Sequence, residues 1–168
     1  MGSNDATVVV VEFGDFECPF CKRFTTEMET LKEEYGNRVA LVYVHYPLRT
    51  HRFARPAARA AECAAEQSRF GEFHDELFER QDSLGLKSWL SYAIEAGVQD
   101  EAAFGRCVDR SDPVPLIERG LEVGKKLGVT GTPTIVINGW RYPPGMDAQT
   151  LHAAVSAALA GKDPVNSR

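Results

Sequence analysis

Positive charge is in short supply in this 168-residue sequence: 19 Lys and Arg stand against 24 Asp and Glu, a formal net charge of −5. Neutralising phosphates takes a cationic surplus, so nucleic acid is excluded as a general partner. Long apolar runs are missing too. None approaches the roughly 20 residues of a membrane-spanning helix, and the apolar stretch at 8–11 is too short, and lacks the basic flank, for an export signal. Cysteine is scarce, four residues in all, far from the density of a small domain stapled by disulfides. No internal repeat or low-complexity tract is present. What remains, 43% hydrophobic and 26% charged residues, is the make-up of a soluble globular domain with a hydrophobic core. The length suits one domain, or one fold carrying a sizeable insertion.

Val8-Val9-Val10-Val11-Glu12-Phe13 is β-branched and apolar save for one acid, which predicts a central strand buried on both faces. Glu12 is the exception to explain, since a buried carboxylate is costly: it either meets solvent at the strand end or serves chemistry. Phe24, Met28, Leu31 and Tyr35 then mark one apolar face of a helix ended by Gly36-Asn37. Residues 39–46 read as a second buried strand stopped by Pro47, so a helix crosses between two parallel strands. From residue 51 the texture becomes helical, with segments over 53–67, 70–80, 86–96, 101–108 and 114–127 and no strand candidate among them. Trp89, Tyr92 and Phe104 are expected in the core of that block. Strand texture returns at 134–138 and 140–142 around Asn138-Gly139, a hairpin signal. Asp147 caps a last helix over 148–159, and 163–168 are expected to form a flexible tail.

Chemistry concentrates at Cys18-Pro19-Phe20-Cys21, where the first strand gives way to the first helix. Cys18 at the helix edge and Cys21 one turn further in place both sulfurs on one side, within reach of each other. Pro19 fits the first helical position, where its missing N–H costs nothing. The free N–H groups and positive dipole end of the helix favour a thiolate on Cys18, the form that attacks disulfides. Exchange also requires the Cys18 sulfur to be open to solvent. Cys63 and Cys107 lie far apart in the helical block and read either as two buried free thiols or as a bonded pair. Zinc sites draw on two close ligand pairs, so no metal site is expected, and His45, His51, His74 and His152 read as packing or surface residues.

The stretches Glu12-Phe13-Gly14-Asp15-Phe16-Glu17-Cys18-Pro19-Phe20-Cys21 and Gly128-Val129-Thr130-Gly131-Thr132-Pro133-Thr134 resemble the two signatures of DsbA-like thiol:disulfide oxidoreductases. The similarity extends through Ala60-Ala61-Glu62-Cys63-Ala64-Ala65-Glu66 and Phe73-His74-Asp75. It implies an α/β thioredoxin fold, βαβ then ββα around a central mixed sheet, interrupted by an all-helical insertion. Residues 5–50 and 129–162 would form the discontinuous thioredoxin-like domain and 51–128 the inserted helical domain. By the same resemblance Cys18 is the attacking cysteine, Cys21 the resolving one, and Glu12 the buried acid that moves a proton at Cys21. Pro133 matches a cis proline facing the sulfurs, with Thr132 offering its backbone to a substrate strand. Pro19 and Phe20 would line the substrate side, with Pro47, Trp140 and Tyr142 as further apolar contacts. A structural disulfide between Cys63 and Cys107 is the family-like reading of that pair.

Phe20 departs from the pattern, standing where the best-known members carry a His. Phe offers no donor or charge to sulfur, so a weaker oxidant is expected, its thiolate held by the helix terminus alone. The implied function is oxidation of cysteines in exported proteins, with protein thiols as substrates, a separate redox partner recycling the pair, and no cofactor beyond the Cys18–Cys21 disulfide. A monomer outside the cytoplasm is expected, its export signal lying outside this sequence, with a cytoplasmic location left open. Two alternatives stand: a reductase or isomerase of the same fold, and a non-catalytic thioredoxin-fold binding module.

Overall fold

The computed structural model describes residues 1–142 and 144–162; the tail expected at 163–168 lies outside the described residues. Strand β1 (Val8–Gly14) is central in a four-stranded sheet ordered β2-β1-β3-β4, with β2 at Val39–His45, β3 at Thr134–Ile137 and β4 at Trp140–Tyr142. Val8 faces Val39 and Gly14 faces His45 along the parallel β1/β2 pair. The β1/β3 pair is antiparallel, with Val10 opposite Ile137 and Glu12 opposite Ile135. Asn138 (φ 45) and Gly139 (φ 89) turn the β3/β4 hairpin, the two left-handed positions that such a tight turn needs.

Helix α1 (Pro19–Tyr35) is the crossover between β1 and β2 and stops at Gly36, whose φ of 58 is left-handed. The last helix, α7 (Ala148–Leu159), starts where Asp147 accepts a 2.7 Å bond from the Thr150 N–H. Together α1 and α7 cover one sheet face: Val8, Val10, Leu41, Ile135 and Ile137 pack with Phe24, Met28, Leu31, Leu151 and Val155. Each such side chain contributes about 1.5–3 kcal/mol when fully buried.

Between β2 and β3 come α2 (Ala54–Ala65), α3 (Phe70–Glu79), α4 (Trp89–Glu95), α5 (Glu101–Val108) and α6 (Pro115–Lys126). Strand side chains alternate in direction, so Phe13 and Val44 point away from α1, toward α6. That helix lies close: a methyl at Gly120 would sit 2.2 Å from the His45 carbonyl oxygen, and one at Gly124 2.4 Å from the Tyr46 ring. The other four helices build a second buried cluster from Ala57, Ala61, Phe73, Leu77, Tyr92 and Phe104, with Trp89 packed at its margin. Cys63 and Cys107 are joined by a disulfide that ties α2 to α5. Helix α4 begins later than the periodicity at 86–96 suggests, because Ser88 caps it through the Ser91 N–H and leaves Leu86 exposed in the preceding turn. Phe16, Cys18 and Cys21 belong to this second cluster rather than to the sheet core. The cysteine motif therefore lies where the sheet meets the helical block.

Candidate active site

Cys18 has extended backbone (φ −80, ψ 119) and caps α1, with Pro19 as the first helical residue. The N–H groups of Cys21 and Lys22 reach back to the Cys18 carbonyl at 3.1 and 3.2 Å. Both cysteines are free thiols. Across the site, the Cys18 thiol donates to the Thr132 carbonyl at 3.3 Å, and the Thr132–Pro133 peptide is cis. The Gln81 amide donates to the carbonyls of Phe16 and Cys18 at 2.8 and 2.9 Å, pinning the loop before the helix.

An open Cys18 was expected, and the structure differs: Cys18 is only 3% exposed and Cys21 fully buried. The cause is packing, since Thr132 abuts the sulfur and both cysteines sit in the apolar cluster with Phe16. A partner meets Pro19 and Phe20 first. Phe20 is 53% exposed, with the Arg23 guanidinium 4.9 Å from its ring centre. Beside it runs a groove of about 250 Å³ lined by Phe20, Phe24, Pro133, Met146 and Leu151.

The two thiols differ sharply. Cys18 is lowered to about 5, chiefly because the Cys21 thiol donates a hydrogen bond to it; burial opposes, while Thr132 and the N–H groups of Cys21 and Phe20 add to the lowering. The expectation that the helix terminus alone stabilises this thiolate is thus corrected, Cys21 being the larger influence. Among the described residues the buried Thr132 hydroxyl has no partner while Cys18 holds its proton, which leaves it free to turn to a thiolate. Cys21 is pushed well above the ordinary thiol value by burial, by its bond to Cys18, and by the charges of Glu12 and Cys18. Only the Asp15 N–H, 3.5 Å from its sulfur, favours its ionisation.

Glu12 lies beneath this pair, completely buried. Burial raises its carboxyl to about 8, with a smaller opposing pull from Cys21 and a further push from the charge on Cys18. At neutral pH this favours the protonated carboxyl. Neither oxygen meets hydrogen-bond geometry with any described residue. The solvent-facing reading of Glu12 is excluded by its position in mid-sheet between Tyr43 and Ile135.

Three other expected contacts lie elsewhere. Pro47 is buried, while Trp140 and Tyr142 line a separate cavity with Ala154 and Ala158 on the α7 side. The hairpin places them on the edge strand β4, paired with Ile137 and Ile135. Conversely, several residues of the site were given no role by the sequence. Buried Asp15 holds the loop by accepting from the N–H groups of Glu17 (2.8 Å) and Leu48 (2.7 Å) and by pairing with His51 Nδ1 (2.9 Å). His45 pairs with Glu62 at 2.7 Å, and His74, fully buried, with Asp75 at 2.8 Å. His152 stands 3.4 Å from Glu34, remote from the sulfurs.

Among the described residues no helix is long and apolar enough to cross a membrane. The model of a family described as Thioredoxin matches residues 1–157. The Na(+)/H(+) antiporter NhaA 1 of Mycolicibacterium vanbaalenii is 38% identical over 159 residues, which make up 93% of this chain and 26% of that protein. This chain therefore spans about a quarter of that relative's length. Among solved structures, a thioredoxin-like oxidoreductase from Silicibacter pomeroyi is 30% identical with a TM-score of 0.78, covering 95% of this chain and 91% of its own. Pseudomonas aeruginosa DsbA2 is 27% identical with a TM-score of 0.72, covering 92% and 90%. A match over nearly the whole length, together with a βαβ–helices–ββα frame that sets two unequal thiols against Thr132–Pro133 and is similar to that of DsbA2, makes this chain a member of the thioredoxin family.

Proposed function

We propose that the Cys18–Cys21 pair works as an oxidant of protein thiols in an extracytoplasmic compartment, with Cys18 exchanging with the substrate, Cys21 resolving and Glu12 serving Cys21. One feature of the site carries the reading: Cys18 caps the start of α1 against Thr132, where its thiol is lowered to about 5, chiefly by the Cys21 donor. A stabilised thiolate favours the reduced protein, which makes its disulfide the better electron acceptor. Compartment follows from the Cys63–Cys107 bond, because such bonds persist where thiols are not kept reduced.

Once the substrate strand displaces Thr132 from the Cys18 sulfur that it covers, a substrate thiolate attacks Cys18 of the disulfide, forming a substrate–Cys18 bond as the Cys18–Cys21 bond breaks. Cys21 leaves as a buried thiolate and takes the proton of Glu12. The substrate's second thiolate then attacks its own sulfur in the mixed disulfide, and Cys18 departs as the thiolate that Cys21, the Thr132 hydroxyl and the helix N–H groups stabilise. Two electrons pass from the substrate dithiol to the protein. The groove beside Phe20 and Pro133 is the place for an extended, partly apolar substrate segment, whose backbone would pair with Thr132 as an added strand. A separate redox partner then re-forms the disulfide.

Equilibration with glutathione buffers tests the direction. The expected potential lies between about −200 and −120 mV, above the roughly −270 mV of a reducing thioredoxin and below the strongest DsbA oxidants, since Phe20 contributes no donor. A value at or below that of thioredoxin would turn the reading into a reductase, and failure to exchange at all would leave a binding module.

A further inference from the structure

Beside the sulfurs, in addition to the Thr132 hydroxyl, five buried polar atoms have no partner among the described residues: both Glu12 oxygens, the Tyr43 hydroxyl, His45 Nδ1 and His74 Nε2. Leaving such an atom unpaired costs about 1–3 kcal/mol. Concentrating them in one place calls for a use.

Their arrangement suggests one. In the parallel register Tyr43 faces Glu12 and His45 faces Gly14, so carboxyl, phenol and imidazole share one face of β1 and β2. Gly14 supplies the gap in which they meet. A methyl there would lie 2.3 Å from Tyr43 Cε2, 2.7 Å from Tyr43 Cζ and 2.9 Å from Glu12 Oε1; the phenol edge and the carboxyl oxygen thus border the same small space. The Tyr43 and His45 rings meet edge-on, their centres 5.4 Å apart. His45 Nε2 is 2.7 Å from Glu62 Oε1. The Glu62 side chain is 17% exposed and lines an open groove with Val42, Leu116 and Arg119. Carboxyl, phenol, imidazole and Glu62 thus lie in succession between the buried acid and the groove, with the His45–Glu62 pair already in hydrogen-bond contact.

The reaction needs such a row. Glu12 has no surface of its own, yet it must give or take one proton whenever Cys21 passes between disulfide and thiol, and an isolated buried carboxylate is costly to sustain. We propose that Tyr43 and the His45–Glu62 pair form the proton outlet of Glu12, connecting it to solvent in the groove between β2 and α6. This rests on the reading of Cys18, Cys21 and Glu12 given above. When Cys21 leaves as a thiolate and takes the Glu12 proton, a proton from water enters at Glu62 and passes by way of His45 and Tyr43 to the Glu12 carboxylate. In the reverse direction the Cys21 proton goes to Glu12 and out by the same groups, while the Cys21 thiolate attacks Cys18, forms the internal disulfide and expels the substrate thiolate. No other oxidant or reductant is involved. The remaining titratable groups around the cluster are Asp15, Cys18 and Cys21, and His74 with its exposed partner Asp75 on α3. That last pair is the rival exit.

Stopped-flow reaction of the reduced protein with glutathione disulfide resolves two steps: mixed-disulfide formation at Cys18, then release of the second glutathione when Cys21 attacks. Tyr43→Phe and Glu62→Gln should each slow the second step about tenfold, less than the roughly hundredfold or more supplied by a donor or acceptor acting directly on the reacting group, while the first step keeps its rate. Tyr43→Phe should fold with unchanged or higher stability, because it removes a hydroxyl that lacks a partner. Added to Glu12→Gln, it should cause no further slowing. Wild-type release in both variants beside slow release in Glu12→Gln would overturn the outlet, as would equal slowing of both steps or slowing by His74→Gln in place of Glu62→Gln. Should Glu12→Gln itself release glutathione at the wild-type rate, the role given to Glu12 fails first, and the outlet with it.

Discussion

Two neighbouring stretches on one face of β1 and β2 make opposite use of the same sheet. In the first, Val8 faces Val39 and Val10 faces Leu41, all buried, apolar and covered by α1 and α7. In the second, only two residues further on, Glu12 faces Tyr43 and Gly14 faces His45, and polar atoms lie buried without partners. Backbone pairing continues unchanged from one to the other. What changes is the neighbour: the second stretch ends beneath the N-terminus of α1, where the sulfurs are. The first stretch contributes stability by apolar burial; the second gives some of it up for groups that hold and move a proton, as functional sites commonly do.

Removing the thiolate should have the largest effect. Cys18→Ser should abolish consumption of glutathione disulfide, and Cys21→Ala should accumulate as a mixed disulfide visible by mass, which would assign attack and resolution separately. Next in size is the bond that holds the helical block. Replacing Cys63 and Cys107 together by Ala reopens a loop with a sequence separation of 44, which the chain-entropy account values at about 4 kcal/mol. Denaturant unfolding checks that loss, while the Cys18–Cys21 potential should stay put. Leu41→Ala, in the apolar stretch, should cost about 3 kcal/mol through the cavity it leaves. By contrast Glu12→Leu, one pair further along, should gain about 1–3 kcal/mol by removing unpartnered oxygens and should slow exchange. A Glu12→Leu protein that is less stable than wild type would erase the contrast between the stretches.

Smallest in net effect is the pH dependence, where two groups oppose each other. The Glu12 carboxyl moves from an ordinary 4.5 to about 8 on folding; between these values the folded chain holds more protons there than the unfolded one, so its contribution falls as pH rises. Cys18 moves from 9.0 to about 5. In that window the folded chain holds fewer protons, and its contribution rises with pH. Measured relative to Glu12→Gln, the reduced wild type should therefore lose stability from about pH 4.5 to 8; measured relative to Cys18→Ser, it should gain from about pH 5 to 9.

Much of this was legible beforehand for reasons of local chemistry. A β-branched run, a C-x-x-C at a helix start and an Asn-Gly turn each act on adjacent residues, and Glu12 stood out as the one acid in an apolar strand. The second stretch was hidden because it depends on register. Nothing in residues 39–46 says that Tyr43, rather than Val42 or Val44, faces Glu12, and a shift by one residue would turn Tyr43 and His45 to the other face. Gly14 gave no signal either, since its missing side chain matters only once the Tyr43 ring fills the space. Asp15 and Gln81 act through backbone groups brought near by the loop and by a short 3-10 turn at Gln81–Ser83, which carries no periodicity. The burial of Cys18 was missed for a similar reason: Thr132 is 114 residues away in the chain.

At the centre of the account is the inequality of the two thiols, Cys21 keeping its proton so that Cys18 can lose its own. Following thiolate absorbance of the reduced protein against pH, in wild type and in Cys21→Ala, measures it directly. The account predicts a wild-type transition near 5 that moves upward when the Cys21 donor is removed. A wild-type transition close to the ordinary 9.0, or one that stays near 5 without Cys21, would contradict it.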